Sequence, residues 1–350
     1  MINILKEFRY SILVTIVGLG LAFAWGFNNG GLNAAFAALT IAAILGVMEV
    51  SLSFDNAVVN AGVLKEMDEK WRQIFLTVGI LIAVFGMRLL FPLLIVAIAT
   101  SQGIFEVAQM ALSKPDDYAA HLTGAHVGIA AFGGMFLLLV FLNFMFDEEK
   151  ELHWLGYIEE KLAALGKLDM VSVLVAMSVL LISQMFLPQD DKLTAMLAGS
   201  GGILLYIAVD SISSLFDAES QDDAEMVSES IKRNGLMAFI YLEILDASFS
   251  FDGVIGAFAI TRDVVIIMIG LMIGAMFVRS ITVFLVKKGT LDEYVYLEHG
   301  AHYAIGVLAF IMLTSMVYHV SEVFTGLVGV AFIVMAVISS IAYKNKNHGA

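Results

Sequence analysis

The sequence predicts an all-α, multi-pass membrane protein of about ten transmembrane helices, built as two inverted five-helix repeats. Three observations predict it: the composition, the length of the apolar runs and a set of motifs that occurs twice. The chain has 350 residues, of which 60% are hydrophobic and 15% charged, whereas soluble proteins are about 45–50% apolar and about 25% charged. We therefore expect most of the surface to contact membrane lipid.

Cysteine content and charge exclude several classes of function. The chain has no cysteine, so disulfides, iron–sulfur clusters and thiolate zinc sites are ruled out. The formal net charge is −14, which disfavours nucleic acid as a partner because phosphate binding needs clustered Lys and Arg. An excess of acid suits a protein that handles cations, and we expect neither a cofactor nor enzymatic activity.

Ten apolar runs are long enough to cross the roughly 30 Å hydrocarbon core of a bilayer. They fall near residues 11–27, 34–64, 74–99, 124–146, 170–187, 200–216, 235–260, 264–286, 301–318 and 323–343. The first run lacks a small-x-small cleavage pattern and is followed directly by a second. We therefore expect it to stay in the mature protein rather than to be removed as a signal peptide.

The Lys and Arg residues are distributed unequally between the two sides of these spans. Fourteen of the nineteen lie on the side of the N-terminus, and only Lys114, Lys192 and Arg262 lie on the other. The remaining two, Arg88 and Arg279, lie inside apolar helices. Because loops rich in Lys and Arg stay in the cytoplasm, we predict a protein of the cell membrane with both termini cytoplasmic.

Three landmarks occur twice in the same order. They are Glu49 to Asp55 with Asp246 to Asp252, Gly79 and Arg88 with Gly270 and Arg279, and Gly124-Ala125-His126 with Gly300-Ala301-His302. The pattern predicts a first repeat at 1–187, which includes an amphipathic cytoplasmic segment at 147–169, and a second repeat at 188–350. Because each repeat has an odd number of helices, five, the second copy is inverted in the membrane relative to the first. Secondary transporters have this layout, and they bind substrate near the midplane of the membrane on interrupted helices.

Acidic residues inside the second copy conflict with a continuous helix. Glu243, Asp246 and Ser250 lie on one helix face, because their spacings are 3 and 4, but Asp252 points about 180° away. A continuous helix cannot gather all four side chains. We therefore predict local unwinding at Ser250–Gly253.

The first copy presents the same conflict between Glu49 and Asp55, which are six positions apart. We predict unwinding at Ser53–Asn56 there. An unwound turn frees backbone carbonyl groups, which must find a partner in lipid. A bound cation is a suitable partner.

Together the two copies predict a metal site with oxygen ligands. Its members are Glu49, Ser53, Asp55, Asn56, Glu243, Asp246, Ser250 and Asp252. Oxygen ligands suit calcium, magnesium or manganese rather than copper or zinc. Each ionised carboxylate at mid-membrane costs about 2.5–3.5 kcal/mol on insertion scales, so five of them need counter-charges such as a divalent cation. The alternative for any single acid is a hydrogen bond that packs two helices together.

Four further side chains are candidates for supporting roles. Arg88 and Arg279 are predicted to be structural counter-charges, with snorkelling to the membrane interface as the alternative. His126 and His302 are either interfacial residues or a proton relay or outer ligand, since histidine titrates in the physiological range. The acidic run at 217–229 is either a solvated loop or a means of concentrating cations near an entrance.

The first acidic motif resembles the signature of a known family. Glu49-x-x-Leu52-Ser53-Phe54-Asp55-Asn56 resembles the Glu-x-x-Leu-Ser-x-Asp-Asn motif of the TerC family of membrane proteins, which is named for tellurium resistance. Asp246-x-x-Phe249-x-x-Asp252 resembles that family's later motif, although Gly253 stands where the family pattern has Ser. The resemblance implies manganese export and metal homeostasis, in a divergent branch of the family.

Three functions are compared on this basis. The first is a secondary transporter that exports a divalent cation, manganese first and calcium next, by alternating access, with exchange for protons as a variant. The second is a non-transporting scaffold of a metal or tellurite stress-response system, which gives no reason for acids inside the membrane. The third is an intramembrane aspartyl protease using Asp55 and Asp252, but neither lies in a Gly-x-Gly-Asp context. The sequence favours the transporter and leaves open the ion, direction, coupling ion, homo-oligomerisation, stress-response partners and any part in tellurite resistance.

Overall fold

The computed structural model describes residues 2–79, 81–148, 150, 152–168, 170–218, 224–288, 294–318 and 320–348. The helices are α1 (Ile2–Leu52), α2 (Phe54–Glu66), α3 (Glu69–Ile74), α4 (Phe91–Thr100), α5 (Ile104–Ser113), α6 (Pro115–Gly124), α7 (His126–Met145), α8 (Tyr157–Ala163), α9 (Val171–Ser183), α10 (Gln189–Ala218), α11 (Ala224–Ile260), α12 (Val264–Lys288), α13 (Leu297–Ser315) and α14 (Glu322–His348). Two π-helical segments, π1 (Phe75–Gly79) and π2 (Ile82–Leu90), follow α3, and a 3₁₀ helix covers Ala164–Lys167. No strand occurs in these ranges.

The predicted fold class, an all-α polytopic membrane protein, is confirmed. Within the described ranges, seven helices are long and apolar enough to cross a membrane, or eight if a pair bent by 103° near Lys167 is counted as one span. The number is smaller than ten because α1 contains two of the predicted runs, α9 is only 13 residues long, and the run at 235–260, with its three acids, is not among the seven. Ile98, Phe105 and Met185 are among many large apolar side chains that point outward.

The helix assigned as α1 folds back on itself at Gly30–Gly31. Gly31 has φ 71° and ψ −161°, a left-handed conformation that glycine adopts without the strain of a Cβ atom. A Cβ atom on Gly26 would lie 2.8 Å from the Cα atom of Ala35, although nine residues of straight helix would separate them by about 13 Å. The chain therefore forms two antiparallel helices here, as the separate runs at 11–27 and 34–64 predict.

The chain divides into two compact units. Unit 1 comprises Met1–Ala125 and Leu242–Gly289, and unit 2 comprises His126–Tyr241 and Thr290–Ala350. Each unit takes residues from both predicted repeats, whose boundary at 187/188 was placed from the sequence motifs. The duplication therefore stays a prediction.

In unit 1 the two halves of α1 pack against α12. The Oγ atom of Ser11 donates to the carbonyl oxygen of Met276 at 2.6 Å and lies 2.7 Å from the Oγ atom of Ser280. Further along, small and branched side chains form a buried cluster: Ala22, Ala38, Ala42, Ile266, Ile269 and Ile273. Small residues let helix backbones approach closely where lipid offers no hydrophobic driving force between helices.

In unit 2 the helix α7 is largely buried. Met135, Phe136 and Leu137 are fully enclosed, and Phe136 meets the ring of Tyr206 on α10 edge-on with centroids 5.5 Å apart. Asn143 donates to the hydroxyl of Tyr206 at 2.6 Å. This packing holds α7 and α10 together. The acidic run at 217–229 belongs to the same unit, but its side chains lie outside the described residues.

The predicted amphipathic segment at 147–169 contains a buried ion pair. Within it, Glu159 on α8 has no exposed surface, and its Oε1 atom lies 2.6 Å from the Nζ atom of Lys150. The Oε2 atom accepts from the backbone N–H of Leu155 at 3.0 Å. The Nε2 atom of His299 on α13 lies 3.4 Å from Oε1 and 2.8 Å from the carbonyl oxygen of Leu152. These contacts tie the segment to α13.

Glu159→Gln is expected to destabilise the protein. Lys150 is only 7% exposed and would be left buried without its carboxylate, a loss that typically costs about 3–5 kcal/mol. Thermal unfolding in detergent measures the effect as a lower Tm. Glu160→Gln is the matched control, because Glu160 is the adjacent, exposed residue of the same helix. Equal Tm values for the two variants would contradict the prediction.

Candidate functional site

The predicted break in the first acidic motif is present but short. Ser53 (φ −106°, ψ 15°) separates α1 from α2, while its N–H still donates to the carbonyl of Glu49 at 3.0 Å and its own carbonyl accepts from Ala57 at 3.1 Å. The discontinuity is therefore confined to one residue of the predicted Ser53–Asn56 segment. It lies directly between Glu49 and Asp55.

The predicted unwinding at Ser250–Gly253 is wrong. The backbone of α11 is helical from Ala224 to Ile260. A continuous helix satisfies each N–H within the segment, which lipid strongly favours. It also places Glu243, Asp246 and Ser250 on one face without any break. The side chain of Asp252 lies outside the described residues.

A buried ion pair joins the first acidic motif to π2. Arg88 donates through Nη2 to the Oε1 atom of Glu49, and the two side chains are 4% and 1% exposed. The same Oε1 atom accepts from the Oγ atom of Ser53 at 3.0 Å. The Nη1 atom of Arg88 donates to the carbonyl of Ala83 at 2.6 Å, five residues back. π-helical turns are rare in proteins, and those that occur often lie at functional sites.

A second polar contact joins the two copies of the acidic motif. The Nδ2 atom of Asn56 donates to the Oδ1 atom of Asp246 at 2.8 Å. Both side chains are buried. The structure thus brings together one residue from α2 and one from α11 that sequence reasoning placed in a single site.

Several buried oxygen atoms around this contact have no hydrogen-bond partner among the described residues. They are the Oδ1 atoms of Asn56 and Asn60, both carboxylate oxygens of Glu243, the Oδ2 atom of Asp246 and the Oγ atom of Ser250. Buried polar atoms are nearly always paired, so each exception asks for an explanation. A bound water or ion is the usual explanation.

A pocket in unit 1 exposes part of this set. Asn60, Arg88, Glu243 and Asp246 line it, together with apolar residues of π1, π2 and α12. Sequence reasoning missed Asn60, which is 4% exposed. Its signal was its position four residues after Asn56, which places both amides on the same face of α2.

The first glycine of the repeated Gly–Arg landmark touches the site. A Cβ atom on Gly79 would lie 2.6 Å from the Oε1 atom of Glu243, closer than real Cβ contacts. A side chain at this position would therefore displace the flexible end of the Glu243 carboxylate.

Of the other predicted residues in unit 1, Arg279 also lines this pocket, whereas Asp55 is not part of the lining. Asp55 is 5% exposed, and its Oδ1 atom accepts from the N–H of Asn56 at 3.0 Å in the first turn of α2, where the helix dipole favours an anion. Arg279 donates through Nε and Nη2 to the carbonyl of Leu76, at 2.9 and 2.5 Å. Its described hydrogen bonds thus go to backbone in π1 rather than to a carboxylate.

Both predicted histidines belong to unit 2. The Nε2 atom of His126 lies 3.0 Å from the Oγ atom of Ser315. The Nδ1 atom of His302 lies 2.9 Å from the carbonyl of Glu298, and its ring stacks on Phe144 with centroids 4.0 Å apart. These contacts are those of packed helical residues, and the proton-relay role stays a prediction.

The donor set defines which ion the site suits. Across the described part of the chain, no group of three or more His, Cys, Asp or Glu side chains is placed to hold a metal ion. The unpaired set instead combines two carboxylates, Glu243 and Asp246, with two amide oxygens and a hydroxyl. An all-oxygen set with two negative charges fits a hard divalent cation that keeps some of its water.

Comparison with known proteins agrees with this membrane architecture. A family model described as "Protein of unknown function (DUF475)" matches residues 54–348. The chain belongs to the DUF475 family. The match takes in α2 and α11, which carry the polar residues of the site.

One curated relative extends the comparison. The chain is 30% identical over 125 residues to the "Uncharacterized membrane protein YceF" of Bacillus subtilis (strain 168). The aligned stretch is 33% of this chain and 46% of the relative, so it spans about half of that protein's length. No solved structure matches this DUF475 chain.

Proposed function

We propose that this protein is a secondary transporter that exports a divalent metal cation across the cell membrane, with manganese as the first candidate and calcium as the next. The observation that carries the proposal is the set of buried oxygens of Asn56, Asn60, Glu243, Asp246 and Ser250 that have no partner in the described structure. Several of these side chains line one pocket, so an ion can reach them. Transport needs no covalent chemistry, and we propose no enzymatic activity or cofactor.

The charges of the described buried residues support a cation as substrate. Four carboxylates, those of Glu49, Asp55, Glu243 and Asp246, are buried in unit 1, against the single buried guanidinium of Arg88. Arg88 already pairs with Glu49. Three acids remain, of which Asp246 also interacts with the charge of Arg88. One divalent cation beside Glu243 and Asp246 would neutralise two of the three. Each acid otherwise costs about 2.5–3.5 kcal/mol at mid-membrane.

Three further parts of the proposal rest on the sequence. Manganese is preferred because the motif from Glu49 to Asn56 resembles that of the TerC family, which is associated with manganese export and tellurium resistance. Alternating access between inverted halves follows from the repeated landmarks. The cytoplasmic location of both termini follows from the distribution of Lys and Arg.

The test is the metal content of whole cells with and without the protein, measured for Mn, Ca, Mg, Zn and Fe. Expression is expected to lower one divalent metal, manganese first. The Glu243→Gln/Asp246→Asn double variant, expressed to the same level, is expected to abolish the drop. Unchanged content of all five metals would overturn the proposal and favour a scaffold role.

Asn60→Ala is expected to weaken metal binding by about 10-fold or more, the range seen when a group that supports a metal site is removed. The substitution deletes one neutral oxygen from the pocket and changes no charge. The rise of Tm with added Mn²⁺ in detergent measures the affinity.

Asn33→Ala is the matched control, because Asn33 is an exposed asparagine of α1. If Asn60→Ala and Asn33→Ala respond to Mn²⁺ equally, Asn60 is not a ligand.

A further inference from the structure

Arg88 lies between two separate cavities of unit 1. The polar cavity contains Asn60, Glu243 and Asp246. The second is apolar and is lined by residues such as Pro92, Ala108, Tyr118 and Phe258. In the described structure, Arg88 is the single residue common to the two linings.

The two cavities occupy opposite ends of the same helices. On α12 the polar cavity takes residues from Ala275 to Thr282, and the apolar cavity takes residues from Val264 to Met268. Ala275 lies seven positions after Met268, a rise of about 10 Å along a helix. On α11, Glu243 and Asp246 line the polar cavity, whereas Val254 and Phe258 line the apolar one.

The basic loops indicate which side each cavity faces. Lys287 and Lys288 follow the polar-cavity end of α12, while Arg262, one of three basic loop residues assigned to the opposite side, precedes the other end. The polar cavity thus faces the side with most Lys and Arg, which we have proposed is the cytoplasm. The apolar cavity faces the other side.

We propose that the Arg88–Glu49 ion pair is the barrier of the transport path, and that breaking it joins the polar and apolar cavities. That this barrier lies on a transport path rests on the proposed function, whereas its position rests on the two cavities. Arg88 lines both cavities, and its guanidinium is held by the carboxylate of Glu49 and the carbonyl of Ala83. A fixed positive charge in a narrow passage repels cations.

An arriving divalent cation offers a way to open this barrier. It would compete with Arg88 for the carboxylate of Glu49, because both are cations that seek the same oxygen. Once Arg88 is released from Glu49, we expect its side chain to move together with π2. The π-helical turns of π2 are wider than the α-helical turns of α4, which follows it. The ion would thus break the pair that blocks its own passage.

Because the natural chain has no cysteine, single cysteines report the barrier directly. Ala83→Cys places a thiol in the polar cavity and Ala108→Cys places one in the apolar cavity, and both alanines are half-buried. Membrane vesicles are exposed to a membrane-impermeant, cationic methanethiosulfonate reagent on the side of the basic loops. With the ion pair intact, Ala83→Cys is expected to react and Ala108→Cys is not.

The decisive comparison adds Glu49→Gln and Arg88→Gln together to the Ala108→Cys protein. The double change is used because it leaves neither charge buried alone. The rate of labelling at residue 108 from the basic side is expected to rise by about an order of magnitude, since an open aqueous path replaces a closed one. Labelling after detergent solubilisation controls for the intrinsic reactivity of the thiol.

Two results would overturn the inference: Ala108→Cys labelled from the basic side with the ion pair intact, or an unchanged rate when the pair is removed. Neither result bears on whether cells export metal, because labelling needs no metal. Conversely, suppose that the cellular metal content is unchanged but labelling at residue 108 is faster in the double variant. That result would contradict the proposed function and still support the ion pair as a barrier between the cavities.

Discussion

Replacing Asp246 by asparagine is expected to abolish metal export. The Oδ1 atom of Asp246 accepts from Asn56 at 2.8 Å, and an asparagine oxygen can take over this bond. The Oδ2 atom has no hydrogen-bond partner in the described part of the chain, and in asparagine an NH₂ group takes its place and presents hydrogens to the cation. The site therefore loses a charge and a ligand together, with little change in shape.

The expected result is cellular metal content equal to that of cells without the protein, and loss of the Mn²⁺-dependent rise in Tm. The Tm without metal should not fall, because a neutral amide is cheaper to bury than a charged carboxylate. Asp117→Asn is the matched control, since Asp117 is an exposed acid at the start of α6 in the same unit. Native export by Asp246→Asn would show that the unpaired oxygens do not bind the ion.

Periodicity accounts for the parts of the site that lie on one helix. Spacings of 3 and 4 place Glu243, Asp246 and Ser250 on one face, and the structure buries all three. The same rule applies to Asn56 and Asn60, but sequence reasoning used Asn60 nowhere because no repeated motif marked it. A repeat-based search finds only residues that have a counterpart.

The partners of charged residues were not predictable from the same rules. Arg88 and Glu49 are 39 positions apart, and their contact depends on how π2 packs beside α1. The π-helical turns have no sequence pattern of their own, so Arg88 could be assigned a counter-charge role but not a partner. Arg279 was assigned the same role, yet it donates to a backbone carbonyl exposed by π1.

The two predicted unwound segments differed in outcome for a physical reason. Both rested on acids six positions apart that a continuous helix cannot bring together. At Ser53 the chain does interrupt the helix, whereas α11 continues through Ser250–Gly253. The described oxygens of α11 that lack a hydrogen-bond partner all lie on one face of the helix. Therefore α11 needs no break to bring them together.

Glu49→Gln is expected to destabilise the protein by about 3–5 kcal/mol, because it removes the carboxylate that pairs directly with the buried Arg88. Arg88→Gln should cost less, since a carboxyl group can take up a proton whereas a guanidinium cannot lose one in a protein. The Glu49→Gln/Arg88→Gln double variant should recover most of the loss, because no charge then stays buried alone. Thermal or denaturant unfolding in detergent measures all three.

The chain supplies an exposed ion pair of the same unit as the matched control. Lys287 and Glu7 lie 3.0 Å apart with 60% and 26% of their side chains exposed, and exposed pairs contribute about 0–1 kcal/mol. Glu7→Gln should therefore change stability little. If the double variant at Glu49 and Arg88 is as unstable as Glu49→Gln alone, the loss comes from packing around Glu49 rather than from an orphaned charge. If the double variant instead recovers its stability, the contribution of the ion pair to stability can be separated from its proposed role as a barrier. A stable protein without the ion pair can then be tested for passage between the two cavities that Arg88 lines.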